Sequence, residues 1–442
     1  MNKGKTNADK YRFSRLMYIF EAALEYFISI AVGTVYLARI TTYIGMSDSL
    51  TGILSSFVSL GCGFQLVAIF VSKKKPVKTW VTTFHIVSQS MFAALYIVPV
   101  LKLSIKAKTV LFVAMLLSAQ ILHNVINPPK INWYMSLVDD KKRGSFTASK
   151  EMVSLIGGMA FSYALGYVID FFNARGEQSA AFTLCGIGLF VLMILHSVTL
   201  LLSKEKPVET VSSDIKAIDM LKSTFKDKTL LKIMLVSVLW SVANYSTISF
   251  TGTYQAKELA FSAAFSSVII MVGSLIRALV SKPMGRFADK TSFVKMLCLC
   301  LIIAAAAYLI HIFITPISGK YLYPVYYVLY CIGMAGINSA TMNLIFDYID
   351  KDRRTSALAL NHSLSGFAGF FTTLILSMLV GYIQKNGNEI LNVRVYAQQV
   401  TAAISFAVTA ALVIYLFAVV RKIPRKTKDE KTENKNEIHK IN

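Results

Sequence analysis

Apolar runs of about twenty residues follow one another along nearly the whole chain, and a helix needs about that length to cross a ~30 Å hydrocarbon core. They are too long to be the ~10-residue alternating strands of an outer-membrane barrel. Composition agrees: 55% of the 442 residues are hydrophobic and 16% are charged, against about 25% charged in a soluble domain. The expected fold is therefore all-α, a polytopic membrane protein of about twelve transmembrane helices. The runs cover residues 15–38, 48–72, 79–101, 109–138, 146–170, 180–202, 230–256, 261–281, 292–314, 322–347, 355–383 and 397–421. The first resembles a signal peptide, but it contains Glu21 and Glu25 and continues to Ala38 without a small-residue cleavage site. It reads as a span.

Charge orients the chain. A net charge of +22 would suit nucleic acid, yet the basic residues collect in loops on one side. With the N-terminus in the cytoplasm, roughly 35 Lys and Arg fall inside and roughly 9 outside, the asymmetry of the positive-inside rule. The expectation is a multi-pass protein of the cell membrane with both termini cytoplasmic and no nucleic-acid partner. Lys130 and Arg277 are left at depth. The five cysteines (Cys62, Cys185, Cys298, Cys300, Cys331) all sit in apolar runs and read as packing residues.

The expected division is an N-terminal six-helix bundle (1–202), a cytoplasmic linker (203–229), a C-terminal six-helix bundle (230–421) and a polar, disordered tail (422–442). In the linker, Ile215, Ile218, Leu221 and Phe225 recur near helical spacing, as in a short helix at the membrane surface. The halves repeat. A shift of 211 residues (338 − 127) lays Asn127 on Asn338, Asn132 on Asn343, Asp139 on Asp350, Arg143 on Arg354, Ser145 on Ser356 and Ala148 on Ala359. A weaker match sets Gly33-Thr34 on Gly252-Thr253. Repeated halves with a site between them near the midplane are a transporter layout.

The loop after the eighth run reads Gly285-Arg286-Phe287-Ala288-Asp289-Lys290. With the Asp139…Arg143 and Asp350…Arg354 loops, it resembles the loop signatures of the major facilitator superfamily. The resemblance implies an alternating-access carrier whose first, fourth, seventh and tenth spans line the cavity. It also implies gating by Asp289, Arg286, Arg143 and Arg354, with the Asp289 carboxylate against the start of span five near Ser145. The equivalent first-half loop, Ala68–Lys73, lacks the glycine and the acid, and span five has Gly157, Gly158 and Gly166 but no proline. A symmetric inner gate and a drug/proton antiporter are both less in keeping with those departures.

Glu21 and Glu25 are four apart and share a helix face; an acid at membrane depth faces a cavity or a partner. They are the candidate ion-coupling groups, Glu25 also a candidate solute contact. Solvation at the interface or a structural ion pair is the competing reading. Span four carries His123, Asn124, Asn127, Pro128, Pro129, Lys130, Asn132 and Trp133, and its proline pair should kink or break the helix. Asn127, Asn132, Asn338 and Asn343 are candidate solute contacts because amides both donate and accept, or else interhelical bonds. Trp240 and Asn244, beside Tyr245, are candidates to stack on and orient a solute. Arg277 reads as snorkelling or structurally paired, and Lys130 has the same two readings. His85, His196, His311 and His362 fall on different spans with no metal spacing, and no phosphate-binding loop is present.

These residues point to a secondary active transporter, not an enzyme and without a cofactor. Its expected partners are a small-molecule solute, a coupling ion (proton or sodium) and the lipid bilayer, and it is expected to act as a monomer. Sugars, glycosides or other polar solutes fit an amide-rich cavity with two acids. The alternatives are a polyspecific exporter of amphipathic compounds, a channel and a non-transporting membrane sensor.

Overall fold

The computed structural model describes residues 10–67, 76–138, 143–206, 225–348, 354–390 and 393–423. Within them each expected run meets a helix. The first span is two helices, α1 (Arg12–Ala31) and α2 (Thr34–Ile44), bent by 43° across Val32 and Gly33. The second is α3 (Asp48–Ser55) and α4 (Phe57–Gly63), and the third is α5 (Lys78–Ala94), which ends near a 3-10 turn at Val98–Val100. Then come α6 (Ile105–Ser136), α7 (Arg143–Ala174) and α8 (Gln178–Leu202). The seventh is α9 (Lys228–Ile248), with α10 (Thr251–Thr253) running into a π turn at Tyr254–Glu258. The remainder are α11 (Ala263–Lys290), α12 (Phe293–Ile312), α13 (Gly319–Tyr348), α14 (Arg354–Lys385) and α15 (Ala397–Ala418). A two-residue antiparallel ladder, β1 (Glu389–Ile390) on β2 (Val393–Arg394), is the one sheet among the described residues.

Helices are the form in which a lipid-embedded backbone satisfies its own polar groups. Many hydroxyls are absorbed the same way: Ser90 donates to the Ile86 carbonyl at 2.7 Å and Thr183 to that of Ser179 at 2.9 Å. Pro128 and Pro129 do not break α6, which runs through them as one helix. The pair removes only two backbone donors from a 32-residue helix held by its other bonds and by packing. The repeat is visible where the helices stop: adding 211 to Ala174, the last residue of α7, gives Lys385, the last residue of α14. Of the expected linker helix only Phe225 is described, and the tail from residue 424 onward, Ala68–Lys73, Asp139 and Asp350 lie outside the described residues.

The chain forms two compact units. Unit one takes Met1–Ser212, Ile248–Met271 and Thr373–Gly387; unit two takes Ser213–Thr247, Val272–Thr372 and Asn388–Asn442. In unit one, α1 packs on α7 through the Gly157–Gly158 pair. A Cβ at either would lie 2.4 Å from the rings of Phe27 and Tyr26 respectively. Gly252 serves backbone contact, since a Cβ there would sit 2.1 Å from the Thr34 carbonyl oxygen. The glycines paired by the repeat thus mark the same junction.

Polar contacts lace this end of unit one. The Asp170 carboxylate accepts from Ala263 N (2.9 Å) and Ala264 N (2.7 Å), capping the positive start of α11. Arg39 donates to the Phe261 carbonyl at 2.5 Å. Asp48 pairs with Lys257 and accepts from Gln384 Nε2 at 2.8 Å. At the other end, the Glu205 carboxylate caps α5 by accepting from Val77 N (2.8 Å) and Lys78 N (3.1 Å). In unit two, α12 packs against α13 and α15, burying Tyr308, Tyr323 and Tyr326 completely.

Candidate functional site

The sharpest concentration of ionisable groups lies in the interior of unit one, and helix periodicity builds it. Glu21 and Glu25 are one turn apart on α1. His123 and Lys130 are seven residues, or two turns, apart on α6 and so share a face. His85 comes from α5 and His196 from α8. Lys130 Nζ donates to Glu21 Oε1 at 2.8 Å and also to Glu25 Oε2, so one ammonium bridges both carboxylates. His196 Nε2 donates to the same Glu21 oxygen at 3.1 Å, and His123 Nε2 lies 3.5 Å from Glu25 Oε1. The His85 ring sits between the other two imidazoles, 5.7 Å from His123 and 5.4 Å from His196.

The cluster has a wet end and a dry end. The Glu21 and His196 side chains are 0% exposed and Lys130 3%, whereas Glu25 is 13% and His123 19% exposed. Beyond the dry end, toward the chain terminus, Tyr18 stacks on Tyr134 and Trp133 stacks on Tyr134 in turn. Tyr134 donates to Ser203 Oγ at 2.9 Å, and Trp133 Nε1 to the Lys204 carbonyl at 3.0 Å. Inside this plug, Glu21 Oε2, both nitrogens of His85 and Nδ1 of His123 and His196 have no hydrogen-bond partner among the described residues. Buried polar atoms ordinarily have one, so these retain capacity for solvent or a proton. Ligand atoms of Glu25, His85 and His196 also lie within 4.8 Å of one another, a spacing compatible with a transition-metal ion. The Lys130 ammonium, however, already occupies Glu25 Oε2, so a divalent metal would have to compete with it for that carboxylate.

This convergence corrects the reading of the histidines as scattered. His85, His123 and His196 meet although they stand on three helices; His311 and His362 belong to unit two. No spacing links the three, and the only sequence signal was that each is an ionisable residue inside an apolar run. Lys130 proves to be paired.

The amide candidates are placed less tightly. Asn127 is half-buried and Asn132 exposed on α6; Asn338 is exposed on α13. Asn343 is half-buried and donates to its own helix at the Ser339 carbonyl, 2.8 Å away. In unit two, Trp240 is buried on α9. One turn on, Asn244 Oδ1 accepts from Tyr330 (2.7 Å) and Tyr308 (3.4 Å) hydroxyls. The run Tyr321-Leu-Tyr-Pro-Val-Tyr-Tyr-Val-Leu-Tyr330 held the signal for this tyrosine-rich wall. Of the gating candidates, Arg286 and Asp289 are exposed near the end of α11. Arg143 and Arg354 begin α7 and α14, and their side chains lie outside the described set.

The sequence profile of the Major Facilitator Superfamily matches residues 16–373 and, in an overlapping second match, 283–439. Among solved structures, the nucleoside transporter NupG is similar, with a TM-score of 0.70 and 14% identity over 93% of this chain and 100% of that one. A D-xylose-proton symporter gives 0.70 at 12% identity, covering 92% and 98%. A bacterial homologue of the human lysosomal transporter Spinster gives 0.66 at 16%, covering 95% and 98%. No curated protein sequence matches the chain.

Proposed function

The chain belongs to the Major Facilitator Superfamily, and from that premise we propose that it is a secondary active transporter. It moves a small solute across the cell membrane by alternating access, coupled to a proton or other cation gradient, with both termini in the cytoplasm. The observation that carries this reading is the sharing of one ammonium, that of Lys130, by Glu21 and Glu25 in a bundle interior. With neutral imidazoles those groups sum to one negative charge. A single proton or monovalent cation balances it, and an unbalanced charge at that depth is costly.

Glu25 and His123, at the wet end, are the entry point for that cation; His196 and His85 extend the path toward Glu21. Asn127, Asn132, Trp240, Asn244, Asn338 and Asn343, with Glu25, supply solute contacts, and Asp289, Arg286, Arg143 and Arg354 act in gating. The repeated halves, 1–202 and 230–421, are the moving bodies, and the expected assembly is a monomer. The D-xylose-proton symporter of like fold supports symport.

Liposome uptake under imposed proton and sodium gradients tests the proposal. A carrier shows saturation and counterflow, and accumulation follows one of the two gradients. Flux that neither saturates nor exchanges, or that ignores both gradients, would sink it.

A further inference from the structure

Arg277 stands near the midpoint of α11 (Ala263–Lys290). One turn earlier on the same face, Gly273 is pressed onto α13: a Cβ there would lie 2.5 Å from the Tyr327 ring and 2.7 Å from Cys331 Sγ. Arg277, four residues on, shares the helix face that packs on α13. It is half-buried there.

Among the described residues it has no anionic partner. The described ion pairs join His123, Lys130, His196 and Lys257 to Glu21, Glu25 and Asp48, and Arg277 takes part in none. Nor do the helices of unit two hold an acid outside their last turns. α9, α12 and α15 and the unit-two part of α14 contain no Asp or Glu, while α11 and α13 carry Asp289 and Asp347 only in their last turns. Glu21 and Glu25 are already held by Lys130. An arginine in an apolar span without a carboxylate is expensive, and such residues mark solute pathways.

We infer that Arg277 is a recognition residue for an anionic cargo, so that the solute is a small organic anion, a carboxylate or a phosphate ester. A guanidinium grips either group with two parallel hydrogen bonds. On α13, one turn from Tyr327, Tyr330 ties to Asn244 at 2.7 Å, and Tyr308 reaches the same amide oxygen at 3.4 Å, giving aromatic faces and hydroxyls for the body of such a solute. This inference rests on the transporter reading and narrows its substrate class.

The test uses full-length protein and three probe pairs matched except for charge: gluconate and sorbitol, glucose 6-phosphate and glucose, nicotinate and nicotinamide. Thermal stabilisation of the wild type, R277K and R277Q is measured for each, with liposome uptake of whichever probes stabilise. At least one anion should stabilise the wild type and its neutral partner should not. R277Q should weaken binding ~tenfold or more, with R277K between, because a charge-assisted contact is lost. Unfolding of both variants without probe separates a misfolded protein from a missing contact. The inference falls if no anion acts, if only neutral probes act, or if R277Q responds as the wild type does. Saturable uptake of a neutral probe equal in wild type and R277Q would overturn the anion assignment and leave the carrier intact. A stabilising anion that is never transported would instead remove the carrier.

Discussion

Tyr18 and Tyr134 lie face to face, ring centroids 4.2 Å apart and planes 5° from parallel, directly beyond the dry end of the carboxylate cluster. Their helices are those that carry Glu21 and Lys130, so the stack fixes the register in which acid meets ammonium. Tyr18→Ala should cost about 3–5 kcal/mol, the usual penalty for emptying a buried aromatic site. Tyr134→Phe, which keeps the stack and loses only the bond to Ser203, should cost about 1 kcal/mol. Thermal unfolding of the purified variants measures both, and equal effects would refute a stacking role.

Removal of the bridging ammonium should be far worse than removal of the whole ion set. Lys130→Met leaves two carboxylates facing each other in a dry interior, a loss of about 3–5 kcal/mol. Adding Glu21→Gln and Glu25→Gln to Lys130→Met should restore most of it. A triple variant no more stable than the single one would show that packing, not charge, dominates.

Glu25→Gln should flatten the pH dependence of uptake and leave solute exchange at equal concentrations running, because exchange needs no net movement of the coupling ion. Glu21→Gln should lower both. Retained pH dependence in Glu25→Gln would remove the proton from the proposal.

Asp170→Ala should lower unfolding stability by about 0.5–2 kcal/mol, as for other lost helix caps, and Asp170→Asn by less, because the amide keeps one acceptor for the two backbone donors at the start of α11. Comparing the midpoints of Asp170→Asn and Asp170→Ala checks it; a larger loss in the asparagine variant would contradict a capping role.

Gly252→Ala and Gly188→Ala should act in opposite directions. The first drives a Cβ to 2.1 Å from the Thr34 carbonyl, and the second meets nothing within 4 Å. Overpacking costs about 1–3 kcal/mol, whereas alanine for glycine in an open helix position adds roughly 0.5–1 kcal/mol. Unfolding midpoints of the two variants decide it.

Span positions were legible because hydropathy and length are local properties, and the 211-residue repeat was legible from identities that run from α6 into α7 and from α13 into α14. The bend at Val32 and Gly33 was not, nor the passage of α6 through Pro128 and Pro129, since both depend on what neighbouring helices supply. Glu21 and Glu25 announced themselves by being acids in an apolar run. Their partners did not: Lys130 could pair or snorkel, and His85, His123 and His196 come together only when α5, α6 and α8 pack. For Arg277 the sequence could not show that its helix face packs on α13 through Gly273.

The 211-residue shift, which also aligns the last residues of α7 and α14, allows each residue of one copy to be compared with its twin. Position 130 + 211 is Thr341, whose hydroxyl merely returns to the Ile337 carbonyl at 3.0 Å. Position 170 + 211 is Gly381, which a Cβ would bring to 2.7 Å from Ser49 Oγ. The second copy thus lacks these ions and carries tyrosines instead. The copies are not interchangeable: a chimaera joining two first copies would gain a surplus charge centre and lose its aromatic wall rather than reproduce the parent.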